Sequence, residues 1–174
     1  KWLGDPEVIF KSEWGDGHDA MIRSIHGLLS EADAVVGYNS DKFDLAKLNG
    51  EFLLLGLKPV PPLTSIDLLK TVRKMGFIMN RLAYIGPLLR IGAKIKHEGF
   101  DLWVRVMAGN EKAQGKMRKY NIQDTVLTEK LYLKLRPFIK NHPHLGPEKA
   151  ECGACGSNHV QSRGYRRTKA FKIQ

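Results

Sequence analysis

The stretch Ala34-Val-Val-Gly-Tyr38-Asn-Ser-Asp-Lys-Phe-Asp44 decides how the chain is read. Ala34 to Tyr38 is a short apolar run, best read as a buried strand. Asn39, Ser40 and Asp41 are turn and N-cap types. Beyond them Leu45, Leu48, Phe52 and Leu55 recur on one helical face, and Gly56 suits the position just past a helix end. The turn therefore lies where a strand ends and a helix begins, the place where α/β proteins hold their ligands. Asp44 falls in the first helical turn, where the positive end of the helix dipole favours a carboxylate. Phe43 and Leu45 fix the backbone on both sides of it by packing. An ordinary helix-start acid is the competing reading, and Asp41 suits that role better.

The same alternation extends outward. Val8 to Trp14 reads as a strand, Gly15 to Gly17 as a turn, and a helix follows with His18 or Asp19 near its start and Met21, Ile25, Leu28 and Leu29 on one face. Pro59, Pro61 and Pro62 mark a loop. Leu63 to Leu69 reads as a further strand running into a helix near Val72, and Leu82 to Leu89 as a short apolar helix. Residues 92–103, rich in Gly and charge, read as loop. A long helix spans Glu111 to Leu135, and Pro137 ends it. Strands alternating with helices give an α/β class. Residues 1–140 form one domain, 141–150 a linker and 151–174 a tail of Cys, Gly and basic residues. Three strands are few for an open sheet covered by several helices. Together with a first residue, Lys1, that leads straight into strand-like sequence, this predicts a sheet incomplete at its N-terminus.

Composition narrows the function. Hydrophobic residues make up 43% of the 174, enough for a core. No apolar run approaches the ~18 residues of a membrane span, and no secretory signal opens the chain. Two cysteines, Cys152 and Cys155, allow no disulfide framework and fit a reducing, cytoplasmic setting. The net charge is +10, and half of it sits in residues 149–174, where six Lys or Arg face the single acid Glu151. Such a surface fits a polyanion, because phosphate contacts supply most non-specific nucleic-acid affinity.

In the long helix, Met117, Tyr120, Asp124, Leu127, Leu131 and Leu135 share one stripe. Asp124 thus lies in an apolar seam, where a lone carboxylate is costly unless its charge is offset. A bound divalent cation would offset it; so would a neighbouring Lys or a backbone amide. Tyr120 stands one turn earlier and reaches the same space. Carboxylates from two elements meeting at one end of a sheet suit Mg²⁺ or Mn²⁺. Two such ions about 4 Å apart activate a water and stabilise the leaving oxygen of a phosphodiester. Two acids cannot hold two ions, and among residues 1–33 Asp5, Glu7, Glu13, Asp16 and Asp19 read as loop or surface.

Residues 34–135 resemble the DEDD family of 3′–5′ exonucleases, the DnaQ-like branch of the ribonuclease H-like superfamily. Val35-Val-Gly-Tyr-Asn39 with Phe43-Asp44 resembles the second motif of that family, and Tyr120-Asn-Ile-Gln-Asp124 its third, Tyr-x₃-Asp. The resemblance implies a ribonuclease H-like mixed sheet flanked by helices, Asp44 and Asp124 as ligands of Mg²⁺ or Mn²⁺, and Tyr120 orienting the attacking water. The Tyr implies the proofreading subtype. Lys94-Ile-Lys-His97 with Phe100-Asp-Leu-Trp103 looks like phage-encoded relatives. The first motif of the family, Asp-x-Glu, is absent and is expected upstream of Lys1, so this chain would hold two of four metal-binding acids and be inactive, or nearly so, by itself.

Cys152-Gly-Ala-Cys155 resembles one knuckle of a zinc ribbon, half of a tetrahedral Zn²⁺ site, with His159 as a third donor. A thiol-bearing tail without metal is the simpler reading. The expected activity is metal-dependent 3′–5′ hydrolysis of DNA, on single strands or 3′ ends, with RNA also open as a substrate. Asn39, Lys94, Lys96, Arg166 and Arg167 are the candidate nucleic-acid contacts, although a solvated loop explains Lys94 and Lys96 equally well. The alternatives are a nucleic-acid-binding module that does not cut, and an endonuclease of the ribonuclease H type.

Overall fold

The structure, a computed structural model, describes residues 1–140, 142, 143 and 157. Its elements run α1 (Glu13–Asp16), α2 (His18–Glu31), β1 (Ala34–Gly37), α3 (Asp44–Leu54), β2 (Thr64–Asp67), α4 (Leu68–Val72), α5 (Leu82–Leu88), α6 (Phe100–Met107) and α7 (Glu111–Leu135), with single 3₁₀ turns after α4 and α7. The α/β class holds. Among the described residues the sheet is two parallel strands, with Ala34 beside Thr64 and Gly37 beside Asp67. The cysteine pair, His159, Arg166 and Arg167 lie outside the described residues.

The core forms where α7 crosses the sheet. Leu127, Leu131, Tyr132 and Leu135 of α7 pack with Ile66 of β2, Leu68 and Val72 of α4, and Leu82 and Ile85 of α5. Leu68, Val72, Ile85 and Leu131 are wholly buried, and losing one such leucine side chain costs about 2–5 kcal/mol. A second, smaller cluster joins Leu102 and Val106 of α6 to Ala113 and Met117 of α7, with Tyr120 against it. The α7 stripe therefore serves two clusters, and Asp124 sits between them.

Two elements differ from expectation. Val8–Trp14 is not a strand. The Ser12 hydroxyl accepts from the Gly15 amide at 3.2 Å, and the Ser12 amide donates to Asp16 Oδ2 at 2.9 Å. These reciprocal bonds close the helical turn of α1, and among the described residues no strand pairs with 8–11. Residues 100–103, expected as loop, open α6. Leu102 and Val106 are its buried face, but Phe100, Trp103, Val104 and Met107 on the other face are apolar too and exposed. This short helix directly follows a Gly- and charge-rich stretch that ends at Gly99, and that composition hid it. The long helix has its expected bounds, and the Asn110 side chain caps it by accepting from the Ala113 amide at 3.0 Å.

Candidate active site

The first candidate acid is held by the ends of both strands. Asp67, the last residue of β2, is buried, and its Oδ1 accepts two amides, from Asn39 at 2.8 Å and from Leu69 at 3.0 Å. Asn39 has φ 64°, a left-handed conformation that asparagine tolerates better than most residues. Ser40 is buried over Gly37, where any Cβ would collide with the Ser40 side chain. The Leu45 amide donates to the Ser40 carbonyl at 2.9 Å, which starts α3 with Asp44 in its first turn. Strand end, left-handed residue and helix start thus form one hydrogen-bonded unit that aims Asp44.

The Asp44 carboxylate is exposed at its rim yet closely surrounded. Desolvation pushes its pKa above the ordinary carboxylate value; the charge of Asp67 adds to the rise, and its own backbone amide and Lys47 only partly oppose it. Asp41 does not cap α3. Its carboxylate takes hydrogen bonds from Ser65 and Lys70, which tie the turn to β2 and α4 and hold its pKa below the usual range. Tyr38, the residue after β1, donates to the Asn80 carbonyl at 2.5 Å, and burial with the nearby Asp67 charge raises its pKa to about 12.

The second candidate acid has a different setting. Lys94 Nζ lies 2.7 Å from Asp124 Oδ2 and donates to the Tyr120 hydroxyl at 2.8 Å, and it also stands 4.9 Å from the centre of the Tyr120 ring. The two side chains of the ion pair are 25% and 22% exposed. Burial works against the Lys94 charge, but the bonds to Asp124 and Tyr120 outweigh it, and its pKa lies above the ordinary lysine value. His97 packs edge-on to Tyr120, with ring centres 4.6 Å apart. Asp124 Oδ1 is buried and has no hydrogen-bond partner.

Of the residues expected from sequence, Tyr120 and Asp124 are brought to one point, the Lys94 ammonium. Lys94 is partly buried and paired with Asp124 and Tyr120, whereas Lys96 is exposed. Asp67 and His97 were not anticipated. Asp67 carried a readable signal, since an acid where an apolar strand runs into a helix repeats the setting of Asp44. His97 carried none.

The donors present suit a hard cation: Asp124 offers a bare buried oxygen, and Asp44 a carboxylate raised in pKa by its surroundings. Among the described residues, however, no three His, Cys, Asp or Glu side chains stand together as a metal cage. No helix among them is long and apolar enough to cross a membrane. In comparisons with known proteins, a family model described as RNase_H superfamily matches residues 8–136. No curated protein and no solved structure matches the chain.

Proposed function

The chain belongs to the RNase H superfamily, and on that premise we propose that it is a metal-dependent 3′–5′ exonuclease acting on single-stranded or 3′-end DNA. Membership of the superfamily supports nuclease-type hydrolysis of phosphodiester bonds at the coarser level. The observation that carries the finer reading is that the Tyr120 hydroxyl and the Asp124 carboxylate share one cationic partner, 2.8 and 2.7 Å away. A phenol and a carboxylate facing one point suit a water held beside a cation. In this reading Asp44 and Asp124 hold Mg²⁺ or Mn²⁺, which when bound supplies an activated water and charge for the leaving oxygen. Tyr120 orients the water by hydrogen bonding, and His97 against its ring fixes the phenol. Asn39, Lys96, Arg166 and Arg167 contact the strand.

The test is a single-stranded DNA labelled at its 3′ end, given to a protein that carries these residues together with the further acids a two-ion site needs. Label is lost when Mg²⁺ is present and retained with EDTA, while a closed circle stays intact and an RNA of the same sequence is cut more slowly. Asp124→Ala abolishes the loss; full activity in that variant sinks the assignment. The second reading, binding without cleavage, is favoured by Lys94, which already neutralises Asp124, and by the lack of a three-ligand group among the described residues. A gel shift that survives EDTA, with no cleavage once Mg²⁺ is added, selects it.

A further inference from the structure

A carboxylate in an apolar seam needs a compensating charge, and Asp124 has one supplied by its own chain. The ammonium of Lys94 reaches Asp124 Oδ2 at 2.7 Å and the Tyr120 hydroxyl at 2.8 Å, with both acid and base about three-quarters buried. Most ion pairs between lysine and a carboxylate are exposed and contribute little. This one differs in burial, in bridging two side chains, and in leaving the other carboxylate oxygen, Oδ1, buried and bare. Lys94 comes from the segment between α5 and α6, which has no regular structure. That segment is tied to α7 by a long bond from Gln123 to the Ala93 carbonyl, 3.3 Å, and by the His97–Tyr120 contact.

We propose that Lys94 is a positioning residue that stands in for a divalent ion: it holds the Asp124 carboxylate and the Tyr120 hydroxyl together in the metal-free protein, and it competes with the ion for Asp124. The inference rests on the reading of Asp124 as a metal ligand. An ion entering at the bare Oδ1 meets a positive ammonium already on Oδ2, and like charges in a partly desolvated site repel strongly. Either the ion binds weakly or Lys94 gives way. The four-carbon stem of lysine is flexible, so the ammonium can turn away from Asp124 while Gln123 and His97 still hold the segment on α7.

The experiment measures Mn²⁺ affinity of the full chain from the paramagnetic resonance signal of free Mn²⁺. Lys94→Met removes the charge and keeps most of the side-chain bulk, and it is expected to bind Mn²⁺ about 10-fold more tightly than the unaltered chain. Lys94→Arg keeps the charge and is expected to match the unaltered chain. Adding Asp124→Asn to Lys94→Met removes the gain. In EDTA the Lys94→Met chain melts earlier than the unaltered chain, and Mn²⁺ raises its melting temperature more. If Lys94→Met does not fold, Lys94→Gln, which is uncharged but still a donor, carries the same expectation. Equal or weaker Mn²⁺ binding by the uncharged variants, a gain that survives Asp124→Asn, or no Mn²⁺ binding in any chain overturns the proposal. Cleavage of labelled DNA is scored separately. Tighter Mn²⁺ binding without cleavage, the latter scored in a protein that also carries the further acids a two-ion site needs, keeps the role of Lys94 and sinks the exonuclease reading. Cleavage with unchanged Mn²⁺ affinity does the reverse.

Discussion

Asp44 and Asp124 bring the same charge into opposite surroundings. At the strand ends Asp44 stands near the buried carboxylate of Asp67, and desolvation together with repulsion from Asp67 raises its pKa. The Asn39 and Leu69 amides are committed to Asp67, and Lys70 to Asp41, which leaves its own backbone amide and Lys47 to offset the charge on Asp44. In the middle of α7, Asp124 has a lysine of its own at 2.7 Å. One corner has an excess of negative charge on a rigid backbone frame; the other is neutral and closed by a side chain from an irregular segment. A divalent ion would relieve the first and would have to compete in the second. Two acids expected to do the same work are therefore not equally ready for it.

The comparison can be broken at several points. The largest effect is on chemistry: in a protein that also carries the further acids a two-ion site needs, Asp44→Ala and Asp124→Ala should each lower Mg²⁺-dependent release of 3′ label by at least about 100-fold, because loss even of outer-shell metal partners costs 10–100-fold. If only one of them matters, the two corners do not serve one reaction. Next comes the frame around Asp44. Asp67→Ala leaves the Asn39 and Leu69 amides without their acceptor, and urea unfolding should show a loss of about 2–4 kcal/mol. Gly37→Ala drives a methyl into Ser40 and should cost about 1–3 kcal/mol in the same measurement, sharpening the view that this corner is set by backbone packing.

The smallest effect is the pH dependence at Asp44. Its pKa is higher in the folded chain than in the unfolded one, so between those two values the folded state holds the proton more firmly. The ionised carboxylate therefore costs stability, beginning as pH rises past the ordinary carboxylate value and complete above the folded pKa. Asp44→Asn should be more stable than the unaltered chain at neutral pH in EDTA, and the gain should vanish in acid below the ordinary value. A gain that instead grows toward acid would mean the wrong sign for the local charge.

The same contrast explains what could be read in the sequence. The strand-end corner is built from neighbours along the chain: an apolar run, three turn residues, and a helix with a 3–4 repeat. Those features predicted β1, α3 and the place of Asp44. The bounds of α7 and the partial burial of Asp124 followed from one stripe of side chains. Lys94 as the partner of Asp124 did not follow, since it lies 30 residues away in sequence and only the folding of the 92–99 segment onto α7 brings it there. The alternation in Val8–Trp14 misled because Ser12 and Asp16 satisfy the backbone locally. Helix α6 is eight residues long and follows Gly- and charge-rich sequence, so composition pointed to loop where local apolar spacing makes a helix. Asp67 falls inside the expected strand Leu63–Leu69, whose true end at Asp67 only the structure shows, and its two amide bonds hold the turn that carries Asp44.

Whether the two corners serve one metal centre can be read from amide nuclear magnetic resonance spectra during a titration with Mn²⁺, whose unpaired electrons broaden nearby signals. Signals at the start of α3, around Asp44 and Leu45, and in the middle of α7, around Asp124, should broaden together at the same low Mn²⁺ level and return when Mg²⁺ is added in excess. Broadening at one of these places alone, or at neither, would contradict a shared site.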